Sequence, residues 1–118
     1  MPVIEVKTNV KVQNHHEFLT ELSTLIADLL DRTVAVTWAS LEDCKSLYFA
    51  SNNDPAYIVR VKSVFTIDLE HNKETSKKLS EFFYNKLGAP NDRGIIFFAD
   101  PGKENCGWNG TTLVALDV

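Results

Sequence analysis

The chain has 118 residues and a formal net charge of −4, and its 44% hydrophobic and 24% charged residues are the balance of an ordinary domain that can bury a core without a disulfide or a metal. Lysines and arginines are scattered rather than gathered in a stripe, which argues against a nucleic-acid or anionic-membrane partner. No apolar run approaches the roughly 20 residues of a membrane span, so no membrane insertion is expected, and the length suits one domain over residues 1–118.

Val3 to Thr8 alternates apolar and polar residues and reads as a strand. That start lacks the basic head and apolar centre of a signal peptide, so cytoplasmic synthesis outside the secretory pathway is expected. A helix follows, with Phe18, Leu19, Leu22, Leu25, Ile26, Leu29 and Leu30 recurring on one face and Asn14 as its N-cap. Val34 to Ala39 reads as a second strand with Val34, Val36 and Trp38 on one face. Leu41 to Asn53 is irregular and polar, and Pro55 punctuates the chain before a third strand, Tyr57 to Phe65. A second amphipathic helix runs from about Lys73 to Leu87, with Leu79, Phe82, Phe83 and Leu87 inward, and Gly88 ends it as a left-handed cap. Ile95 to Ala99 is a fourth strand and Leu113 to Leu116 a short terminal one.

The order is β-α-β followed by β-α-β, and Ile4-Glu5-Val6-Lys7-Thr8 resembles Val59-Arg60-Val61-Lys62-Ser63 at a constant offset. The matched order favours a duplication. Two right-handed crossovers give an α/β fold: a four-stranded mixed sheet with both helices on one face. The other face should then be wet, yet Gly94 to Ala99 is apolar on both faces, and Tyr57, Ile58, Val59, Val61 and Val64 populate both faces of the third strand. Either other subunits cover that surface, or the 41–53 segment and the C-terminus do. Cys44 and Cys106 are far apart and read as free buried thiols, and Asn109-Gly110-Thr111 reads as a turn. His15 and His16 are neighbours on a helix, about 100° apart, with no further clustered ligand, so no metal site is expected.

Three segments carry a resemblance: Pro2-Val3-Ile4-Glu5-Val6-Lys7-Thr8-Asn9-Val10; Asp54-Pro55-Ala56 leading to Lys62-Ser63-Val64; and Asp92-Arg93 followed by Gly107-Trp108-Asn109-Gly110-Thr111-Thr112. In their order and spacing the chain resembles the macrophage migration inhibitory factor and D-dopachrome tautomerase family. The resemblance implies a homotrimer whose three sheets enclose a channel. It also implies keto–enol tautomerase chemistry on a small aromatic keto acid, with no cofactor, a cell-surface receptor for some members, and export by a non-classical route.

In that family the initiator methionine is removed and the secondary amine of proline is the base, a role that falls on Pro2. An apolar pocket disfavours the charged amine and so prepares it to take a proton from the carbon beside a carbonyl. The family lysine that holds the substrate carboxylate stands in a Gly-Lys-Pro turn absent here. An ungapped alignment puts Arg32 there, and a shifted one leaves the position deleted and Arg32 an ordinary helix-end residue. Ile95 and Phe97 replace a tyrosine and an asparagine that the neighbouring subunit contributes. Val64 and Phe65 replace an isoleucine and a glycine, while Trp108 and Gly107 are kept and Cys106 replaces a valine. Ala56 and Val59 stand where some members carry Cys-x-x-Cys, so thiol oxidoreductase chemistry is not expected. Two readings stay open: a tautomerase with weak or altered activity, or a cytokine-like signalling protein with a vestigial pocket.

Overall fold

A computed structural model describes residues 1–116. Strand β1 (Val3–Thr8) is followed by helix α1 (His15–Leu29) and β2 (Trp38–Glu42), and β3 (Tyr57–Lys62) by α2 (Leu69–Leu87) and β4 (Gly94–Ala99). The sheet order is β2-β1-β3-β4. The central β1–β3 pair is antiparallel and the two flanking pairs are parallel, so each β-α-β unit forms one half of the sheet. Ile4 lies opposite Val61 and Val6 opposite Val59. These four side chains face the helices and pack against Phe18, Leu22, Ile26, Leu30, Leu79, Phe83 and Leu87.

The internal similarity has a structural counterpart. Thr8 and Ser63, both buried, close their strands in the same way. Each hydroxyl accepts a hydrogen bond at 3.2 Å from the backbone N–H two residues on, that of Val10 and that of Phe65. As the sequence implies, Asn14 caps α1, its side chain accepting from the N–H of Glu17, and Gly88 ends α2 at φ 70°. Gly94 is required by packing: a Cβ there would stand 2.0 Å from Cζ of Tyr57, whose ring lies across it.

Several boundaries differ from the sequence reading. Val34–Val36 is a 3-10 turn, not a strand, and Val34 is 52% exposed. A strand extends only as far as its partner. The Trp38 N–H bonds the carbonyl of Pro2 and Trp38 pairs with Val3, where β1 begins. Residues before Trp38 therefore close on themselves, Val36 N–H to Thr33 and Thr37 N–H to Val34. Strand β3 stops at Lys62, and α2 starts at Leu69 behind an Asp68 cap, several residues before Lys73. Leu113–Ala115 is a 3-10 turn in place of the terminal strand. Extended structure comes earlier, where β5 (Gly107–Trp108) pairs with β6 (Thr111–Thr112). Their link is the Asn109-Gly110 turn, with φ 54° and 82°, the positive values of a two-residue hairpin. Both cysteines are free, but neither is buried: Cys44 is exposed and Cys106 half-buried.

The face away from the helices is mixed rather than uniformly apolar. Glu5 lies between Ser40 and Arg60, and Lys7 between Glu42 and Ile58. On this face β3 presents Ile58, Arg60 and Lys62, so the expectation of an apolar outer surface fails along β3, where two of three positions are charged. It holds along β4, where Ile95 and Phe97 are each 49% exposed. No helix among the described residues is long and apolar enough to cross a membrane.

Leu22, Ile26, Leu79 and Phe83 are all fully buried between helices and sheet. Truncating any one to alanine should cost about 2 to 5 kcal/mol of unfolding free energy in urea titration, and losses under about 1 kcal/mol at most of them would misplace the core.

Candidate functional site

The N-terminus enters the sheet as a central strand, and this decides where the site lies. Pro2 is fully buried, and its carbonyl is held at 2.9 Å by the N–H of Trp38. Its neighbours Met1 and Val3 line a cavity of about 290 Å³ together with Trp38, Cys106, Gly107, Trp108 and Leu113. Three separate segments build it: the start of β1, the start of β2, and the β5–β6 hairpin, held against the following turn by the Leu113 N–H to the Cys106 carbonyl.

Arg32 reaches the same corner. Asp31 leaves α1 at φ 55°, and the Arg32 N–H bonds back to Ala27 at 2.8 Å. This turn carries the guanidinium onto the ring of Phe65, with Cζ 4.0 Å from the centroid. One terminal nitrogen donates to the Asp31 carbonyl, and the buried Nε has no hydrogen-bond partner among the described residues. Lys103 leans on the same ring, its Nζ 4.6 Å from the centroid. Val64 and Phe65, in the bend that follows β3, are partly buried.

The α-amino group of Met1 is held below its ordinary value of 8.0. Burial is the larger cause and the positive charge of Arg32 the second, with Cys106 acting in the opposite direction. The corner therefore favours a neutral amine, as a proton acceptor requires.

Ile95 and Phe97 are not at this site within one chain. They stand on β4 at one edge of the sheet, whereas Trp38 stands on β2 at the other. Ile95 instead borders a second cavity of about 170 Å³ with Leu47, Tyr48, Phe49, Tyr57 and Arg93. That cavity offers little chemistry, because Arg93 spends its donors on the carbonyls of Pro55, Phe49, Asn52 and Asp54. Asn9 grips the same loop, donating to Leu47, Asn53 and Asp54 and accepting from Ala56. His15, considered as a metal ligand, has its Nε2 3.0 Å from Asp43 Oδ2.

Pro2, Arg32, Phe65 and Trp108 thus come to one corner, whereas Val64 is only the chain neighbour of Phe65 and does not line the cavity. Two were missed. Trp38 becomes a wall because parallel pairing sets it beside Val3, a consequence of the β-α-β connection that a correct strand start would have exposed. Lys103 had no sequence signal, since only the return of the chain near Cys106 brings it to Phe65.

The family model for macrophage migration inhibitory factor (MIF) matches residues 1–114. The chain belongs to the MIF family. A curated relative, the MIF homologue of Trichinella spiralis, is 29% identical over 114 residues, covering 96% of this chain and 100% of that one. MIF of Xenopus tropicalis is 27% identical, covering 96% and 99%. Among solved structures, the MIF homologue of Prochlorococcus marinus superposes with a TM-score of 0.88 at 32% identity, covering 93% of this chain and 97% of that one. The T. spiralis structure has the same TM-score at 28% identity, covering 93% and 98%. Asn9 and Arg93, which lie in two of the segments that carried the resemblance to the MIF family, are the residues that clamp the loop.

Met1 is the only methionine, so selective ¹³C labelling reports this amine alone. In chain that retains Met1 it should titrate below 8.0 by NMR. Arg32→Ala should move it only part of the way back, because burial remains. An amine depressed by folding opposes folding only when it must be protonated. Its contribution should therefore be favourable above 8.0 and lost as pH falls through the folded-state value.

Proposed function

We propose that the chain is a keto–enol tautomerase of the phenylpyruvate or dopachrome type, with Pro2 as its base once Met1 is removed. The observation that supports this reading most directly is a fully buried Pro2 whose neighbours Met1 and Val3 line a cavity walled by Trp38 and Trp108, with Arg32 close enough to depress the adjoining amine. With Met1 attached, the Pro2 nitrogen is an amide and has no basic lone pair. Removal of Met1 leaves a secondary amine one residue deeper, where burial should lower its pKa further.

The neutral amine would take the proton from the carbon beside the substrate carbonyl as the electron pair moves to the carbonyl oxygen. It would then deliver a proton to that oxygen, giving the enol with no net change in atoms or electrons. Arg32 would hold the substrate carboxylate through its guanidinium, and Trp38 and Trp108 would flank the aromatic ring.

Three copies would complete the site and cover Ile95 and Phe97, the otherwise bare apolar strip of β4, together with Ile58 beside it on β3. In such a trimer, Ile95 and Phe97 would reach a neighbour's pocket as apolar wall without offering a hydrogen bond. That feature favours a second reading: a secreted, cytokine-like signalling protein that meets a receptor and whose pocket turns over little. The family contains both kinds of protein, and one chain could serve both roles.

Processed chain with free Pro2 should tautomerise an aryl pyruvate, with a rate that rises with pH through a pKa below the ordinary α-amino value. Pro2→Gly should lower the rate steeply. Any residue retained before Pro2 should abolish it, and full activity with Met1 attached would remove Pro2 as the base. Light scattering should report a trimer at micromolar concentration, and a stable monomer would leave the β4 strip unexplained.

A further inference from the structure

We propose that Lys103 is a second cationic anchor for anions, and that the pocket is built for a dianionic ligand, a keto acid bearing a further carboxylate or phosphate. The inference rests on the reading of the Pro2 cavity as the substrate site.

Two cations share one ring. Arg32 Cζ and Lys103 Nζ lie 4.0 and 4.6 Å from the centroid of Phe65, both well inside the roughly 6 Å over which a ring face attracts a cation. The ring fixes where the two charges stand but does not neutralise them. Among the described residues no carboxylate lies within 4.0 Å of either; the ion pairs formed are His15–Asp43, His71–Asp68, Lys73–Glu70, Lys78–Glu81 and Lys86–Glu21. Glu104, the nearest carboxylate to Lys103 in sequence, folds back against Gly102 instead: a Cβ on Gly102 would sit 2.7 Å from its Oε1.

This positive corner belongs to a chain of net charge −4. An acidic molecule that keeps two partly buried cations on one ring, with no carboxylate partner among the described residues, places a positive potential at that ring. Arg32 also carries a buried, unpartnered Nε, a donor that folding has removed from water without compensation.

Lys103 is tied to the cavity through its own turn. The N–H of Cys106 bonds the Lys103 carbonyl, and Cys106 lines the cavity beside Met1 and Trp108. A ligand whose first acidic group meets Arg32 would present a second one toward Lys103, with Phe65 setting the distance between the two anchors. A monoanion can use only one of them.

The test is binding, read from intrinsic fluorescence. Both tryptophans of the chain, Trp38 and Trp108, line this cavity, so the signal arises at the site. With Met1-free protein at low salt, terephthalate should bind about tenfold more tightly than benzoate, the lower range of one added charge-assisted hydrogen bond. Lys103→Ala should bring that ratio close to one, and Lys103→Arg should restore most of it. Equal affinities in the parent protein, or a preference that survives Lys103→Ala, would overturn the inference.

Turnover separates it from the reading on which it rests. If the processed protein fails to tautomerise aryl pyruvates but keeps a Lys103-dependent preference for terephthalate, the dianion site stands and the enzymatic reading falls. If it turns over aryl pyruvates with no preference for the second charge, the enzymatic reading stands and the role of Lys103 falls.

Discussion

A strand with neighbours on both sides has no free edge, and β1 is such a strand even though it is also the beginning of the chain. Its parallel partner β2 and antiparallel partner β3 take up its backbone groups from Val3 onward. The inner side chains Ile4 and Val6 are sealed under the helices. The residue preceding such a strand is drawn into the protein, which is why Pro2 is buried and why the terminal amine lies at a cavity, partly withdrawn from solvent. Chain ends are ordinarily loose. Here the sheet spends its best-held position on one, and the chemistry of that end is shaped by burial before any neighbouring charge acts.

The charges that do act come from elements remote in sequence. Arg32 arrives because α1 ends in a residue at positive φ, and Phe65 because the β3 segment is turned out of the sheet by the Ser63 hydroxyl and then by Thr66 at φ 66°. Thr66 is β-branched, and a positive φ there is unfavourable. Its hydroxyl donates to the carbonyl of Leu30 at the end of α1, which offsets part of that cost and ties the two halves of the duplication together beside the site.

Much of the fold was legible because its signals are local. The 3.6-residue recurrence of Phe18, Leu22 and Ile26, the cap at Asn14 and the stop at Gly88 lie within the stretches they govern. What was not legible depends on partners. Val34 and Val36 look like strand residues until β1 proves too short to pair with them. The start of α2 was hidden because Leu69, its first residue, faces water and adds nothing to the apolar rhythm. The site was readable only in part for the same reason. Pro2 and Trp108 came from a likeness between whole chains, the position of Arg32 turned on one residue of alignment, and Trp38 and Lys103 needed the folded chain to reach their neighbours.

The grip on the 47–55 loop has a consequence of its own. Asn9 and Arg93 hold that loop through its carbonyl groups and the Ala56 amide, and neither bonds a side chain of the loop. Every amino acid supplies the same carbonyl, so the shape of the loop is uncoupled from most of its composition. Tyr48, 68% exposed, could be exchanged for other residues without releasing either clamp, whereas the Phe49 ring also lies under the Arg93 guanidinium, 5.3 Å from Cζ to the centroid. Ala50 and Ser51, at φ 52° and 64°, are the exception, where the backbone itself would welcome glycine. The result is a rigid display surface with interchangeable lettering, free to diversify in what it presents while the scaffold that presents it stays fixed.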